Sequence, residues 1–292
     1  MRIDLHTHSD RSDGTLSPAE LVGAAARAGL DVVAITDHDC FAGWAEAIRA
    51  GREHGVKVLR GVEVSTRFRG ASVHLLGYLP DPAYEPLTAE LDAILAGRND
   101  RMPQIVGRLQ DLGIAITEAD VAAVSGEAAA SGRPHVADAL VGLGVVTSRD
   151  EAFARYLGPS GPAYVDRYAA GLERMIELIR EAGGVSVVAH PWGRYEHRGL
   201  DAEGFAELRA LGLDGIEVDH QDHDAPTRDR LRALATDLDL IVTGSSDFHG
   251  AGKVGHELGC NTTAPEQLEH LLDAARRHAA ASGRGVSAFE GI

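Results

Sequence analysis

The sequence predicts an α/β fold: a parallel sheet of seven strands with helices between them and one helical insertion. Three observations predict it. Short apolar, β-branched runs alternate with segments of helical period along most of the 292 residues. Six of the seven runs end in, or carry, a histidine or an acid, and parallel α/β barrels build their active sites at the carboxyl ends of their strands. Residues 84–168 break the rhythm with helical patterns and no convincing strand.

The first strand, at 2–5, leads into His6 and His8. Residues i and i+2 of an extended chain share a face, so these two imidazoles aim at one point. A helix over 17–29 has clear start signals: Ser17 as N-cap, Pro18 in the first turn and Glu20 completing a capping box. The buried strand at 30–36 ends in Asp37, His38 and Asp39, and the amphipathic helix over 41–53 is stopped by Gly55. Strands at 58–64 and 73–77 carry Glu63 and His74, joined by the short hairpin RFRGAS with Gly70 in its turn. Further strands at 185–189, 215–218 and 240–243 follow, with helices near 172–182, 203–211 and 226–237. The strand at 185–189 runs into His190 and Trp192, and the last strand runs into Asp247 and His249. Seven strands are one short of an eight-fold barrel. Residues 1–83 and 169–292 read as one barrel, and 84–168 as an inserted helical subdomain.

Composition narrows the function. With 28 basic and 44 acidic residues the net charge is −16, which argues against broad binding to nucleic acid and against duplex DNA as a partner. A small anionic substrate remains compatible, because metal ions and local arginines reverse the field inside a pocket. Cys40 and Cys260 show no CxxC spacing, which suits a reducing cytoplasm. The start, MRIDLHTHSDR, lacks a signal-peptide core, and no apolar run approaches the roughly 20 residues of a membrane span. The expectation is a cytoplasmic protein with no membrane partner.

Nine residues are candidate metal ligands: His6, His8, Asp13, His38, Glu63, His74, His190, Asp247 and His249. One ion cannot use nine donors, whereas two or three divalent ions sharing a bridging carboxylate can. The mixed nitrogen and oxygen set admits manganese, with iron and zinc as competitors. Such clusters suit phosphate ester hydrolysis. Asp37 and Asp39 are read as partners that orient imidazoles. Glu217, Asp219, His220 and His223 are read as an acidic polar loop, with pocket lining as the alternative. Trp192 is read as a base-stacking, core or lid residue.

DLHTHSDRSDG, ITDHD, GVEVS, VHLLGY, VAHPW and SSDFHG, in that order, resemble the PHP (polymerase and histidinol phosphatase) family of metal-dependent phosphoesterases. The resemblance runs from residue 2 to about 250. It implies a distorted (β/α)7 barrel with a trinuclear centre. His6, His8, Glu63 and Asp247 would hold one ion, Glu63, His74 and His190 a second, and Asp13, His38 and His249 a third. Family members often have histidine where Asp13 stands here.

The insertion adds a second signal. In SGRPH, Ser131, Arg133 and His135 flank Pro134 at a helix start, and an exposed helix N-terminus beside an arginine is a ready phosphate site. SGRPH also resembles a segment of PHP members related to nucleoside 3′,5′-bisphosphate phosphatases and 5′-directed RNA exonucleases. Arg98, Asn99 and Arg101, on the preceding helix, read either as a solvated face or as further substrate contacts. The resulting expectation is removal of the 3′-phosphate from a nucleoside 3′,5′-bisphosphate by a metal-bridging hydroxide. His190 and His249 would act as the catalytic histidines beside the departing ribose oxygen. Exonucleolysis of short 5′-phosphorylated RNA and another phosphatase activity, such as that on histidinol phosphate, are the alternatives. Amide hydrolysis would call for a carboxylated lysine or a dinuclear site with fewer ligands, and neither Lys57 nor Lys253 sits at a strand end in a suitable position. A non-catalytic binding module would have lost ligands, whereas all nine positions hold competent residues.

Overall fold

The structure, a computed structural model, describes residues 1–193 and 200–285. The last seven positions of the expected 169–292 segment therefore lie outside the described residues. All seven expected strands are present as β1 (Ile3–Asp4), β2 (Val32–Ile35), β3 (Lys57–Phe68), β4 (Ala71–Tyr78), β6 (Val185–Val188), β7 (Gly215–Asp219) and β8 (Ile241–Gly244). An eighth, β5 (Ala170–Gly171), pairs with β3 and has only two residues, too few for any pattern to reveal. The strand order is β1-β2-β3-β4-β6-β7-β8.

The sheet is mixed rather than wholly parallel. β3 runs through twelve residues and pairs antiparallel with β4, which pairs antiparallel with β6. The turn at Arg69 and Gly70, both at positive φ, makes this hairpin. Glu63 consequently lies mid-strand and not at a strand end. Its cross-strand register places it diagonal to His74, on the same face of the sheet.

The two ends of the sheet meet without a regular ladder. Thr7 bridges to Phe248, and Asp4 accepts from the Ser246 N–H (3.0 Å) and the Gly259 N–H (2.8 Å). A buried carboxylate thus closes the barrel-like ring where backbone pairing stops. Burial pushes the Asp4 carboxyl up to about 6 against the hydrogen bonds it accepts.

Helices cover the outside. α1 (Pro18–Arg27) has the Ser17–Glu20 capping box, and α2 (Trp44–His54) stops at Gly55, φ 71°. α7 (Leu172–Glu181), α8 (Ala202–Leu211) and α9 (Ala225–Asp237) follow the expected spacing. α10 (Pro265–Ser282), absent from the sequence expectation, packs Leu268, Leu271 and Leu272 against Leu76, Tyr78 and Val187. Residues 84–168 hold α3 (Glu85–Asp111), α4 (Glu118–Ser125), α5 (Arg133–Gly142), α6 (Arg149–Ala152) and a π-helical turn at Phe153–Leu157. α3 serves two cores: Leu87, Leu91 and Ile94 join the barrel cluster, whereas Met102, Ile105 and Leu109 pack with Val121, Val136 and Leu140. No described helix is long and apolar enough to cross a membrane.

Candidate active site

The centre is built outward from Glu63, which is buried. Its Oε1 lies 2.9 Å from His74 Nδ1, 3.1 Å from His190 Nε2 and 3.4 Å from His6 Nε2. Its Oε2 lies 3.0 Å from His38 Nδ1 and 3.3 Å from His8 Nε2. Burial alone would raise this carboxyl, but the imidazoles of His74, His38 and His6 hold it well below the usual range. Asp247 Oδ1 stands 3.5 Å from His6 Nε2, His8 Nε2 and His249 Nδ1. Asp13 closes the far side, 3.3 Å from His249 Nε2 and 3.6 Å from His38 Nε2. All nine sequence-predicted donors therefore share one cluster.

Local backbone explains the convergence. Thr7 anchors its segment through Oγ1 to the Ala34 carbonyl (2.6 Å), so His6 and His8 on either side turn inward, with their Nε2 atoms 3.0 Å apart. Gly14 lets the next loop fold back: a Cβ there would lie 2.2 Å from the His8 carbonyl oxygen. His190 and Asp247 sit at φ 28° and 52°, a strained region for non-glycine residues and one commonly held at functional sites.

The donor chemistry fits divalent ions. Four overlapping groups within the cluster have ligand atoms lying within 4.8 Å of one another: His8, Asp13, His38 and His249; His6, Glu63 and His190; His6, His8 and Asp247; His38, Glu63 and His74. His38 Nδ1, despite its closeness to Glu63, is buried without a hydrogen-bond partner. Burial pushes that imidazole down to about 3, which leaves it neutral and able to ligate. The groups overlap: His6, His8, His38 and Glu63 each belong to two of them, and one contains Asp13, His38 and His249 together.

Several supporting residues differ from the sequence reading. Glu217 is 0% exposed and is no loop acid. It lies 3.2 Å from His6 Nδ1 and accepts from the His190 N–H (2.8 Å) and the Ser245 hydroxyl. That partner turns His6 Nε2 toward the centre. Asp37 reaches an imidazole only through Ser12: it accepts from the Ser9 N–H (2.8 Å) and from Ser12 Oγ (2.7 Å), which lies 3.4 Å from His8 Nδ1, and so braces the Asp13 loop. Asp39 pairs with Arg98 (2.6 and 2.8 Å) and accepts from the Ser65 N–H (2.7 Å). Lys253 contacts Asp247 through Nζ. Trp192 donates to the Leu200 carbonyl and packs edge-on to Phe205, a core contact.

On the insertion side, a cleft is lined by Arg11, Ser12, Asp13, His38, Arg98 and His135, so barrel and insertion face each other across it. His135 caps its own helix, accepting from the Gly132 N–H (2.9 Å), and burial lowers its basicity. Ser131 Oγ pairs with Ser125 Oγ (2.7 Å). Arg133 donates to the Leu157 carbonyl (3.0 Å) and lies over the rings of Phe153 and Tyr164. Arg101 is buried with Nε unpartnered. Burial and the charges of Arg133, Arg167 and Arg98 push it down to about 9. Arg167, missed in the sequence, is pushed down to about 10 by burial and Arg98. Asn99 is exposed and joins none of this.

A mixed barrel with a carboxylate-centred histidine cluster at its rim defines a metal-dependent hydrolase. Residues 4–91 match the PHP domain. A 3′,5′-nucleoside bisphosphate phosphatase of Chromobacterium violaceum is 37% identical over 264 residues, covering 90% of this chain and 92% of the relative. A 5′-3′ exoribonuclease of Haemophilus influenzae is 37% identical over 250 residues, 85% of this chain and 90% of that one. The structure of a Bifidobacterium adolescentis chain assigned as a metal-dependent phosphoesterase superposes with a TM-score of 0.89 and 37% identity, covering 93% and 96% of the two chains. The chain belongs to the PHP family of metal-dependent phosphoesterases.

Proposed function

We propose that the protein is a phosphatase that removes the 3′-phosphate of nucleoside 3′,5′-bisphosphates, leaving the 5′-monophosphate. The observation that carries this reading is the pairing of two sites: a nine-donor centre on the barrel and converging arginines on the insertion. A substrate with two phosphates needs both. Likeness to the Chromobacterium violaceum phosphatase supports the same choice.

In this reading His6, His8, Asp13, His38, Glu63, His74, His190, Asp247 and His249 hold two or three divalent ions, manganese first. Bound there, such ions neutralise phosphoryl oxygens and make water a competent nucleophile at neutral pH. Glu217 keeps His6 turned to the centre. His190 and His249 serve the departing ribose oxygen. Arg101 and Arg133, with Arg167 close by, hold the 5′-phosphate; crowded cations that repel one another gain from an anion. Ser131 and His135 shape the helix end beside them. Residues 84–168 act as the recognition unit, and 1–83 with 169–292 as the catalytic barrel. The product and substrate are small nucleotides of the cytoplasm.

The exoribonuclease reading differs only in whether the 3′ phosphorus is a monoester or a diester, and likeness to the Haemophilus influenzae enzyme favours it as the second choice. One comparison tests both. Phosphate release is measured on adenosine 3′,5′-bisphosphate and adenosine 3′-monophosphate, and release of nucleoside 5′-monophosphates on short 5′-phosphorylated RNA, using wild type and Arg133→Ala. Removing a charge-assisted contact should lower kcat/KM on the bisphosphate by roughly 30- to 1000-fold, equivalent to about 2–4 kcal/mol. The 3′-monophosphate should already be a poor substrate and should lose little more. Equal losses on both nucleotides would assign Arg133 to the scissile phosphate or to the fold. Faster turnover of RNA than of the bisphosphate would select the exoribonuclease.

A further inference from the structure

We propose that His220 is a positioning residue of the metal centre and not one of its ligands: together with Lys253 it holds Asp247 by Oδ2, which leaves Oδ1 as the ligating oxygen. This rests on the reading of the cluster as a divalent-metal centre.

The spacing alone would suggest otherwise. His220, Asp247 and His256 are buried and bring their donor atoms within 4.8 Å of one another, the signature of a further metal site. Hydrogen bonding assigns the rings another task. The main-chain N–H of Asp222 donates to His220 Nδ1 (3.1 Å), so that nitrogen carries the lone pair and the ring proton sits on Nε2. Nε2 lies 3.2 Å from Asp247 Oδ2 and donates to it. A nitrogen that carries a proton is not a metal ligand. His256 donates from Nδ1 to the Ser246 carbonyl oxygen (2.7 Å), so its Nε2 keeps a lone pair, but with His220 turned donor only Asp247 of that group remains beside it, and two donors are too few for a site.

The two carboxylate oxygens of Asp247 are thereby divided. Oδ2 takes the His220 N–H and the Lys253 ammonium, and Oδ1 faces His6, His8 and His249 at 3.5 Å each. With Oδ2 occupied, Asp247 is a one-oxygen donor whose angle is set from outside the cluster. Partners of this kind usually govern metal affinity by about 10- to 100-fold. The strained backbone at Asp247, φ 52°, is consistent with a carboxylate whose direction matters.

The test uses the full chain, stripped with a chelator and titrated with manganese by calorimetry, with bound metal counted by elemental analysis. Circular dichroism melting checks that each variant is folded. His220→Phe keeps the ring shape and loses the donor; it should weaken one manganese site by about 10- to 100-fold and leave the others in place. His220→Gln keeps an N–H near the Nε2 position and is a poor ligand; its affinities should stay within about threefold of wild type. A Gln variant as weak as the Phe variant would make His220 a ligand and overturn the proposal. Wild-type affinity in the Phe variant would overturn it too. Failure of the wild-type chain to bind manganese, zinc or iron would instead remove the metal centre itself, and the clamp with it.

Discussion

Glu63 is the residue on which the centre turns, because both of its oxygens are committed to imidazole-bearing neighbours. Glu63→Gln replaces a bridging carboxylate with a neutral amide. The variant should lose at least one ion per chain by elemental analysis, and turnover should fall by about a thousandfold or more. Unchanged metal content would remove Glu63 from the centre. His8 makes a second prediction. Burial alone would lower its basicity, but hydrogen bonds to Asp247 and Glu63 overcome burial and carry it up to about 9. A protonated imidazole must release its proton to ligate, so metal binding should expel protons and grow tighter as pH rises toward about 9. Calorimetry in buffers of different ionisation enthalpy measures that release, and pH-independent affinity would contradict it. For the fold without metal the sign is opposite. A raised histidine stabilises the folded state below its unfolded value near 6.5, and that contribution is lost as pH climbs through about 9.

At the scale of elements, the insertion grips the loop that carries Asp13. The Ala129 N–H donates to the Arg11 carbonyl (2.9 Å), and Arg11 itself pairs with Glu127 (2.8 Å). Arg149 forks onto Asp138 of α5, at 2.6 Å to each oxygen, while its Nη1 reaches the Asp13 carbonyl (3.1 Å). The insertion and one edge of the nine-residue cluster are therefore mechanically joined. Arg149→Met should cost about 1–3 kcal/mol in urea unfolding, since Asp138 and the Asp13 carbonyl lose a charged donor. The same variant should weaken the ion nearest Asp13 by about tenfold and spare the ions around Glu63. An unaltered metal titration would confine Arg149 to stability.

For the molecule as a whole, the centre is also a fastener. Its donors span the chain from His6 to His249, and meet where the two ends of the sheet lack a regular ladder. Metal that binds only the folded state should stabilise it by about 2.7 kcal/mol at a hundredfold excess over Kd. Chelation should then lower Tm by about 5 °C, and restored manganese should reverse the drop. Thermal melting with and without chelator measures it. A Tm that ignores chelator would show that the buried carboxylates and histidines satisfy one another without help.

The sequence by itself determined seven of the eight strands, most helices, the helical character of the insertion and the nine candidate donors. Each rests on a local pattern: apolar runs of strand length, a capping box at Ser17, and histidine or acid placed just beyond a strand. Tertiary structure alone decided what surrounds those donors. Glu217 reads locally as one acid among several, and only the position of β7 beneath His6, more than two hundred residues away in the chain, makes it a buried partner. Arg101 and Asn99 stand two positions apart on one helix, yet one is buried among cations and the other exposed. Lys253 gains its role from contact with Asp247, and α10 from the barrel face that it covers. Periodicity and capping act over a few residues, so a sequence displays them directly. Burial, tautomer and charge pairing depend on which distant segment lies opposite, and strand register and packing set that only in the folded molecule.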